Sequence, residues 1–533
     1  MYDVCIIGSG AGASGVAYIL SMAGVNVVML EKGSLLHRGE FSKDEIAYCR
    51  RDIFTPNTKD EYHTTEELVN DKWIKSSSKN GGYNFFNGNT VGGATNFMSG
   101  YFHKMQPNDF KLLDTYGEIA GANIANWAIS FEDLKPYYDM CESLIGISGD
   151  DMPFAPLDEH EIAGMIDSVC KKHNINATRT SRAIITKDFG DRKGCYYSNF
   201  CGSYGCSSGA KSSSRESIIY PALKSGNLKI ISNTQVTRLI EKNDELTDAE
   251  FVNADNKKEL LKAKIFVIAC GAIESSRLLL NSKNINFPNG LSNNSGNVGK
   301  NLIFSSGGIV SGEIYDTVMK NNELLQRGLF TNRSLMQWYE IDGEKGGVID
   351  IEWDHANPIR RASRLKYNNG ELIWGKALQE KLFQKFKHMR RLNFEIFCDW
   401  TPTNDTRVTV DAKYIDKFGM PIANVRLAPH EIDVKVGNKL AGHAVDILNL
   451  LGAKDIKIDI SFAPPTNLQA GGCRFGDDPE KSVLNKYCQS HEVKNLFVTD
   501  GSFMPTGGSV PHTWTIYANS LRVGKHILNS FFS

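Results

Sequence analysis

Tyr2-Asp3-Val4-Cys5-Ile6-Ile7-Gly8-Ser9-Gly10-Ala11-Gly12-Ala13 opens the chain. Its first six residues are an apolar run of strand formers, broken at Gly8 and resumed as a helix-like stretch from Ser14 to Ala23. Gly24 stops that helix, and a second apolar run, Val25 to Leu30, ends in Glu31. Strand, glycine turn, helix, strand and acid make the mononucleotide half of a dinucleotide-binding fold. Gly8 permits the tight turn, Gly10 lets backbone approach a pyrophosphate, and Ala13 keeps helix and strand close. The free N–H groups and dipole of the helix start then face the phosphates. Glu31 stands about twenty residues beyond the turn, the offset expected for an acid on a ribose hydroxyl. The bland alternative is a glycine turn in an ordinary α/β domain, and the complete strand-helix-strand context speaks against it.

The chain has 533 residues, too many for one core, so two or three domains are expected. A composition of 41% hydrophobic and 23% charged residues is that of a soluble globular protein. A net charge of −1 gives no electrostatic case for nucleic acid or an anionic membrane as partner. No apolar run approaches the ~20 residues of a membrane span. A fingerprint beginning at residue 2 leaves no room for a signal peptide, so a cytoplasmic location is expected. The eleven cysteines are mostly single on apolar stretches and read as buried thiols rather than a disulfide scaffold.

Residues 36 to 80 are polar and weakly periodic, which predicts loop and short helices reaching away from the first domain. Gly81 to Phe97 sets many glycines among aromatics and asparagines, a composition suited to backbone packed on a ligand. The fingerprint, followed by Val91-Gly92-Gly93-Ala94-Thr95-Asn96, resembles the glucose–methanol–choline (GMC) family of flavin oxidoreductases. Pro107-Asn108-Asp109-Phe110 is similar to the proline-x-aspartate-phenylalanine that follows this loop in the family. The resemblance implies that the second stretch lies along the isoalloxazine and pyrophosphate of FAD. Members with covalently attached flavin can carry a histidine where this chain has Asn96, so the FAD here is expected to be non-covalent.

Leu112 to Ser148 reads as helices, with Trp127, Tyr137 and Tyr138 in the core. The segment from Cys195 to Lys211 is similar to the cysteine-rich segment ending in glycine-alanine-lysine of bacterial sugar-acid and polyol dehydrogenases in the family. Thiolates at Cys195, Cys201 and Cys206 could hold an iron–sulfur cluster. Their spacing lacks the tight Cys-x2-Cys turn of common clusters, and thiols packed in a compact loop are the preferred reading. No metal site is otherwise expected.

Leu228 to Ile240 reads as strand, Lys242 to Lys264 as a hairpin and return, and Ile265 to Ala269 as a buried strand before a helix at Ser276 to Leu280. By resemblance this is the family's second flavin signature, with Val236 at the adenine and backbone near Gly271 passing the cofactor. From about Ile303 to Pro465 strand-like runs recur at Ile309 to Gly312, Gly347 to Trp353 and Leu392 to Trp400. Amphipathic helices follow at Gly375 to Arg391 and His430 to Leu451. This predicts an antiparallel sheet with covering helices, a cap that sets substrate choice. Asn404 to Asp411, with Asp416-x-Phe418-Gly419-Met420-Pro421, matches the family's substrate-domain segment. Asp350, Glu352, Trp353 and His355 are candidate sugar contacts, although strand alternation alone explains them. The last block, Asn495 to Thr506, reads as a strand ending at Asp500, followed by a terminal helix from Thr513 to Ile527.

Oxidising an alcohol requires a base for the hydroxyl proton, and a neutral imidazole suits that task. A second hydrogen-bonding group then stabilises the developing alkoxide. The family's positions for this pair fall on Leu468 and Pro511, neither of which can act as acid or base. Their neighbours can: His512 is expected as the base and Asn467 as its partner. The alternatives are that His512 only caps the helix start, that a cap residue is the base, or that flavin and hydrogen bonding suffice.

The sequence therefore predicts an α/β protein with a discontinuous Rossmann-like FAD-binding domain (1–35, 80–110, 205–302 and 466–533). A substrate cap spans 303–465, and segments 36–79 and 111–204 are excursions covering the flavin site. The candidate cofactor residues are Gly8, Ser9, Gly10, Ala11, Gly12, Ala13, Glu31, Lys32, Gly92, Gly93, Thr95, Asn96, Val236, Ala269, Gly271, Asp500, Gly501 and Thr513. The expected reaction is oxidation of a sugar, polyol or sugar acid, with electrons passed to a quinone, dye, redox protein or O2. An oxygen-using oxidase, a flavin protein with degraded catalysis and a nicotinamide-dependent enzyme are the rival readings.

Overall fold

The computed structural model describes residues 1–47, 53–85, 87–319, 328, 330–368, 370–460 and 468–532. Strand β1 (Tyr2–Ile7) pairs in parallel with β2 (Val27–Leu30) on one side and with the end of the Lys258–Ile268 strand on the other. Leu228–Ile231 continues the sheet beyond β2, and Leu496–Val498 beyond Ile268, both in parallel. Val4, Cys5, Ile6, Val27, Val28 and Met29 are fully buried, as continuous apolar runs in a doubly covered parallel sheet must be. The first half of Lys258–Ile268 turns to antiparallel pairing with Glu245–Val252, which pairs with Gln235–Lys242.

Helix α1 (Ala11–Met22) follows β1 and packs on the terminal helix Thr513–Phe531. Glycine makes that approach possible. A Cβ on Gly12 would lie 2.5 Å from the Thr499 carbonyl oxygen, and one on Gly15 would lie 2.6 Å from the Leu521 nitrogen. The hydroxyls of Thr499 and Ser520 donate to the Gly12 carbonyl at 2.7 and 2.6 Å. Gly8, at φ +96°, adopts a conformation only glycine takes cheaply, with Ala269 backbone where its Cβ would stand.

The second sheet is built from Leu302–Tyr315, Phe330–Leu335, Gly347–Trp353, Met389–Asp399 and Lys454–Asp459, with antiparallel pairing throughout. Ile349, Ile351, Trp353, Leu392, Phe394 and Ile396 point to one face, where Val436, Leu440, Ala444 and Ile447 of helix Glu431–Leu450 complete a core. Asp350, Glu352 and Glu395 alternate to the opposite face. The expected helix from Gly375 ends at Lys387, and Met389 already belongs to the strand. The terminal helix runs on to Phe531, four residues past the expected end.

Two excursions differ from expectation. Residues 36–80 hold a hairpin, Thr64–Val69 with Lys72–Ser77, rather than only loop and short helices. Its turn is Asn70-Asp71, both at positive φ, a local signal that the charged composition obscured. The hairpin joins Pro421–Leu427 and Arg407–Ile415 in a four-stranded sheet, so it is tied to the substrate-domain segment. Ala177–Arg179 pairs with Phe330–Leu335, and helix Glu161–Lys172 packs into the same core as the second sheet. Trp127 and Tyr138 are buried, and Tyr137 partly buried, in the core of the first sheet. No helix among the described residues is long and apolar enough to cross a membrane.

The backbone approach at Gly12 predicts that Gly12→Ala destabilises the protein by about 1–3 kcal/mol, the usual effect of overpacking. Urea unfolding followed by circular dichroism measures it. A midpoint equal to wild type would mean that helix and terminal block can separate at no expense.

Candidate active site

A cavity of about 780 Å³ lies between the first sheet and the polar face of the second. Three helices begin on its wall: α1 after Gly10, Ala272–Asn281 after Gly271, and Thr513–Phe531 after His512. None of these starts is capped by a side chain, so their N–H groups remain for a ligand. Helix starts so arranged form an anion cradle. Gly10 faces open space, since a Cβ there would meet nothing within 4 Å. These features fit the pyrophosphate of a dinucleotide.

The wall is cross-linked through Ser9. Its hydroxyl donates to Glu31 Oε2 at 2.5 Å and accepts the Gly92 N–H at 2.9 Å, while its carbonyl accepts the Ser214 hydroxyl at 2.9 Å. Gly33 donates its N–H to Glu31 Oε1 at 2.7 Å. Burial pushes the Glu31 carboxyl up to about 7, and the Ser9 and Gly33 donors pull it back. Lys32 on the same wall pairs with Glu61. Asp500 faces inward: Ser275 Oγ, the Gly271 N–H and the Ser502 N–H reach it at 2.5, 3.1 and 2.9 Å. Its carboxylate thus fixes the start of the Ala272 helix.

Of the sequence-derived cofactor residues, Gly8, Ser9, Gly10, Ala11, Gly12, Glu31, Lys32, Gly93, Thr95, Val236, Ala269, Gly271, Asp500, Gly501 and Thr513 line the cavity. Ala13, Gly92 and Asn96 stand outside the lining. Ala13 is buried in the helix. Gly92 ties to Ser9, and Asn96 Nδ2 turns back to the Val91 and Gly93 carbonyls at 3.0 Å each. Gly92 and Asn96 thus shape the loop, and Ala13 packs inside α1. Lys211 is buried and donates to the carbonyls of Asn96, Gly202 and Tyr204 at 3.3, 3.1 and 2.7 Å, joining the cysteine-rich segment to that loop.

At the other end the cavity is lined by Tyr101, Ser305, His355, Glu395, Leu468, Pro511 and His512. Leu468 sits at φ +60°, an uncommon conformation for a branched side chain. Asn467 lies outside the described residues. His512 is 1% exposed, neither ring nitrogen has a hydrogen-bond partner among the described residues, and its side chain makes no cap to the helix it starts. Burial lowers its pKa to about 4. A Cβ on Gly507 would lie 2.6 Å from His512 Nε2 and 3.0 Å from Asp399 Oδ1, so both groups converge on that glycine. Burial pushes Asp399 up to about 7, with Lys345 opposing. Ser305 Oγ and the Tyr101 hydroxyl are also buried without a hydrogen-bond partner among the described residues.

Tyr101, Ser305 and Glu395 were not singled out from sequence, because each is an ordinary residue in a strand or loop until the cap folds over the sheet. Asp350, one of the proposed sugar contacts, is instead held by His103 at 3.0 Å and by Ser334, and Trp353 points into the cap core. Among the described residues, one group of three candidate metal-ligating side chains has its ligand atoms within 4.8 Å of one another: Glu352, His355 and Glu395. Cys195, Cys201 and Cys206 do not form such a group, and their thiols pack against the cap core.

Family models described as GMC oxidoreductase match residues 8–304 and 402–520. The chain is 28% identical to 2-methyl-1,2-propanediol dehydrogenase of Mycolicibacterium austroafricanum, covering 99% of this chain and 95% of that protein. It is 26% identical to the fructose dehydrogenase large subunit of Gluconobacter japonicus, covering 99% and 98%. Among solved structures, formate oxidase of Aspergillus oryzae superposes with a TM-score of 0.68 at 14% identity, covering 99% and 98% of the two chains. With a match spanning both ends of the chain and the same fold, this protein belongs to the GMC oxidoreductase family, as a flavoprotein oxidoreductase acting on CH–OH donors.

Proposed function

We propose that the chain oxidises a secondary or primary alcohol on a small polyhydroxylated compound, a sugar, polyol or sugar acid, with His512 as the base. FAD is held non-covalently by the three helix starts and the Ser9–Glu31 wall, since Asn96 offers no imidazole for attachment. When bound, the flavin supplies the acceptor for the hydride leaving the alcohol carbon. His512 takes the hydroxyl proton on an unpartnered ring nitrogen, so the alcohol loses one hydride and one proton and becomes a carbonyl. Burial keeps that imidazole neutral and therefore able to accept. The observation that carries the reading is a buried histidine on the cavity wall whose two nitrogens have no partner among the described residues. A buried polar group left so is costly unless a ligand completes it. Asn467 is the proposed partner for the substrate oxygen, and the buried Ser305 hydroxyl is a second donor on the same wall. The discontinuous FAD domain, the cap at 303–465, a cytoplasmic location and an acceptor among quinones, dyes, redox proteins and O2 belong to the same proposal.

A second reading is favoured by Leu468 and Pro511: a flavin-binding protein with degraded catalysis. Anaerobic titration of the yellow protein with a panel of sugars, polyols and sugar acids separates the two. Bleaching of the flavin bands by one compound supports oxidation, and bands that never bleach support the second reading.

His512→Ala is expected to lower kcat/KM by about 10²–10⁴, the range for loss of a general base. Turnover within a few-fold of wild type would remove His512 from catalysis. The pH dependence has a definite sign. A neutral imidazole is required, so kcat/KM falls as pH drops through about 4, where the buried His512 protonates. A fall centred instead near 6.5, the ordinary imidazole value, would show that the base is a solvated group.

A further inference from the structure

The cavity-side face of the cap sheet carries charge that alcohol oxidation by itself does not use. Glu352 has zero exposure. Its Oε1 meets His355 Nε2 at 2.9 Å, and its Oε2 has no hydrogen-bond partner among the described residues. Glu395, on the neighbouring strand, lines the cavity, as does His355. Gly202 holds the His355 ring in place, since a Cβ there would lie 2.1 Å from its Cε1. The ligand atoms of Glu352, His355 and Glu395 lie within 4.8 Å of one another.

The charge around this group is lopsided. The buried Tyr101 hydroxyl is pushed well up by burial and by the carboxylates of Glu352, Glu395 and Asp350, against the single Arg182 guanidinium. Asp350 has its own partner in His103. Among the described residues, the one lysine on the cavity wall, Lys32, has its ammonium taken by Glu61, and Glu274 is paired with Arg277. The Glu352 oxygen that has no partner among the described residues is costly to bury until a cation joins it.

We propose that Glu352, Glu395 and His355 form a subsite for a protonated amine on the substrate, which makes amino sugars and amino alcohols the compounds this cavity binds best. The proposal rests on the cavity being the alcohol site. An ammonium carries three donors, and arms of about 2.8 Å place acceptors about 4.6 Å apart, which a span of 4.8 Å accommodates. Two of the three groups face open cavity rather than a closed shell, so an incoming substrate reaches them.

Isothermal titration of the FAD-loaded protein at pH 7 tests this without turnover. The probes are D-glucosamine against D-glucose and ethanolamine against ethylene glycol. The amine of at least one pair is expected to bind about tenfold tighter than its neutral counterpart, as a charge-assisted contact allows. That ratio should fall below about threefold in E352Q and in E395Q, with FAD content unchanged. Glu395 lies on the cavity wall, so E395Q keeps the test alive if E352Q fails to fold. No preference in either pair, or a ratio retained in the folded variants, overturns the proposal. So does a divalent ion that co-purifies at one per chain and is lost from the variants. Failure of the oxidation reading would show as an unreduced flavin and would leave the binding ratio standing.

Discussion

Everything in this molecule depends on how closely the N-terminal glycine turn approaches backbone from the far end of the chain. Gly8 meets Ala269, Gly12 meets Thr499 and Asp500, and Gly15 meets Leu521, each at a separation no side chain would allow. The hydroxyls of Thr499 and Ser520 then lock the Gly12 carbonyl. Three strands that are hundreds of residues apart in sequence become neighbours in one sheet, and three helix starts come to face one cavity. Without that contact there is no anion cradle, because each helix start alone is an ordinary uncapped end.

The opposite wall obeys a different constraint. A sheet with a full apolar core on one face usually sends its polar alternates to water. Here that second face turns toward the cavity, with Asp350 and Glu352 fully buried and Glu395 on the cavity wall. Their charge is answered partly by His103, His355 and Arg182. The arrangement has one use that water-facing carboxylates lack: in a dry site, an electrostatic contact discriminates strongly between ligands. The same burial keeps His512 neutral and raises the Asp399 carboxyl to about 7.

Much of the fold was legible because its signals are local. The β1–α1–β2 unit, the strand at Ile265, the strand from Gly347 to Trp353 and the helix near His430 each show in a window of a dozen residues. The hairpin at Thr64–Ser77 carried a turn signal in Asn70-Asp71 that charged neighbours masked. That Leu468 and Pro511 cannot themselves move protons was also legible, since neither side chain titrates whatever surrounds it. Ala13, Gly92 and Asn96, expected among the cofactor residues, stand behind the cavity wall rather than on it, because motif positions do not separate a residue on the wall from one packed behind it.

By itself the sequence determined the α/β architecture and the glycine fingerprint. These follow from backbone conformation, hydrophobic period and side-chain chemistry, all properties of neighbours in the chain. Only the tertiary structure decided which polar groups share the cavity. Tyr101, Ser305, His355, Glu395 and His512 come from five separate elements, and no local pattern relates them. The burial of Tyr101, Ser305 and His512, and the displaced pKa values of Tyr101 and His512, arise from the closing of one sheet over another, a long-range event that residue spacing along the chain does not encode.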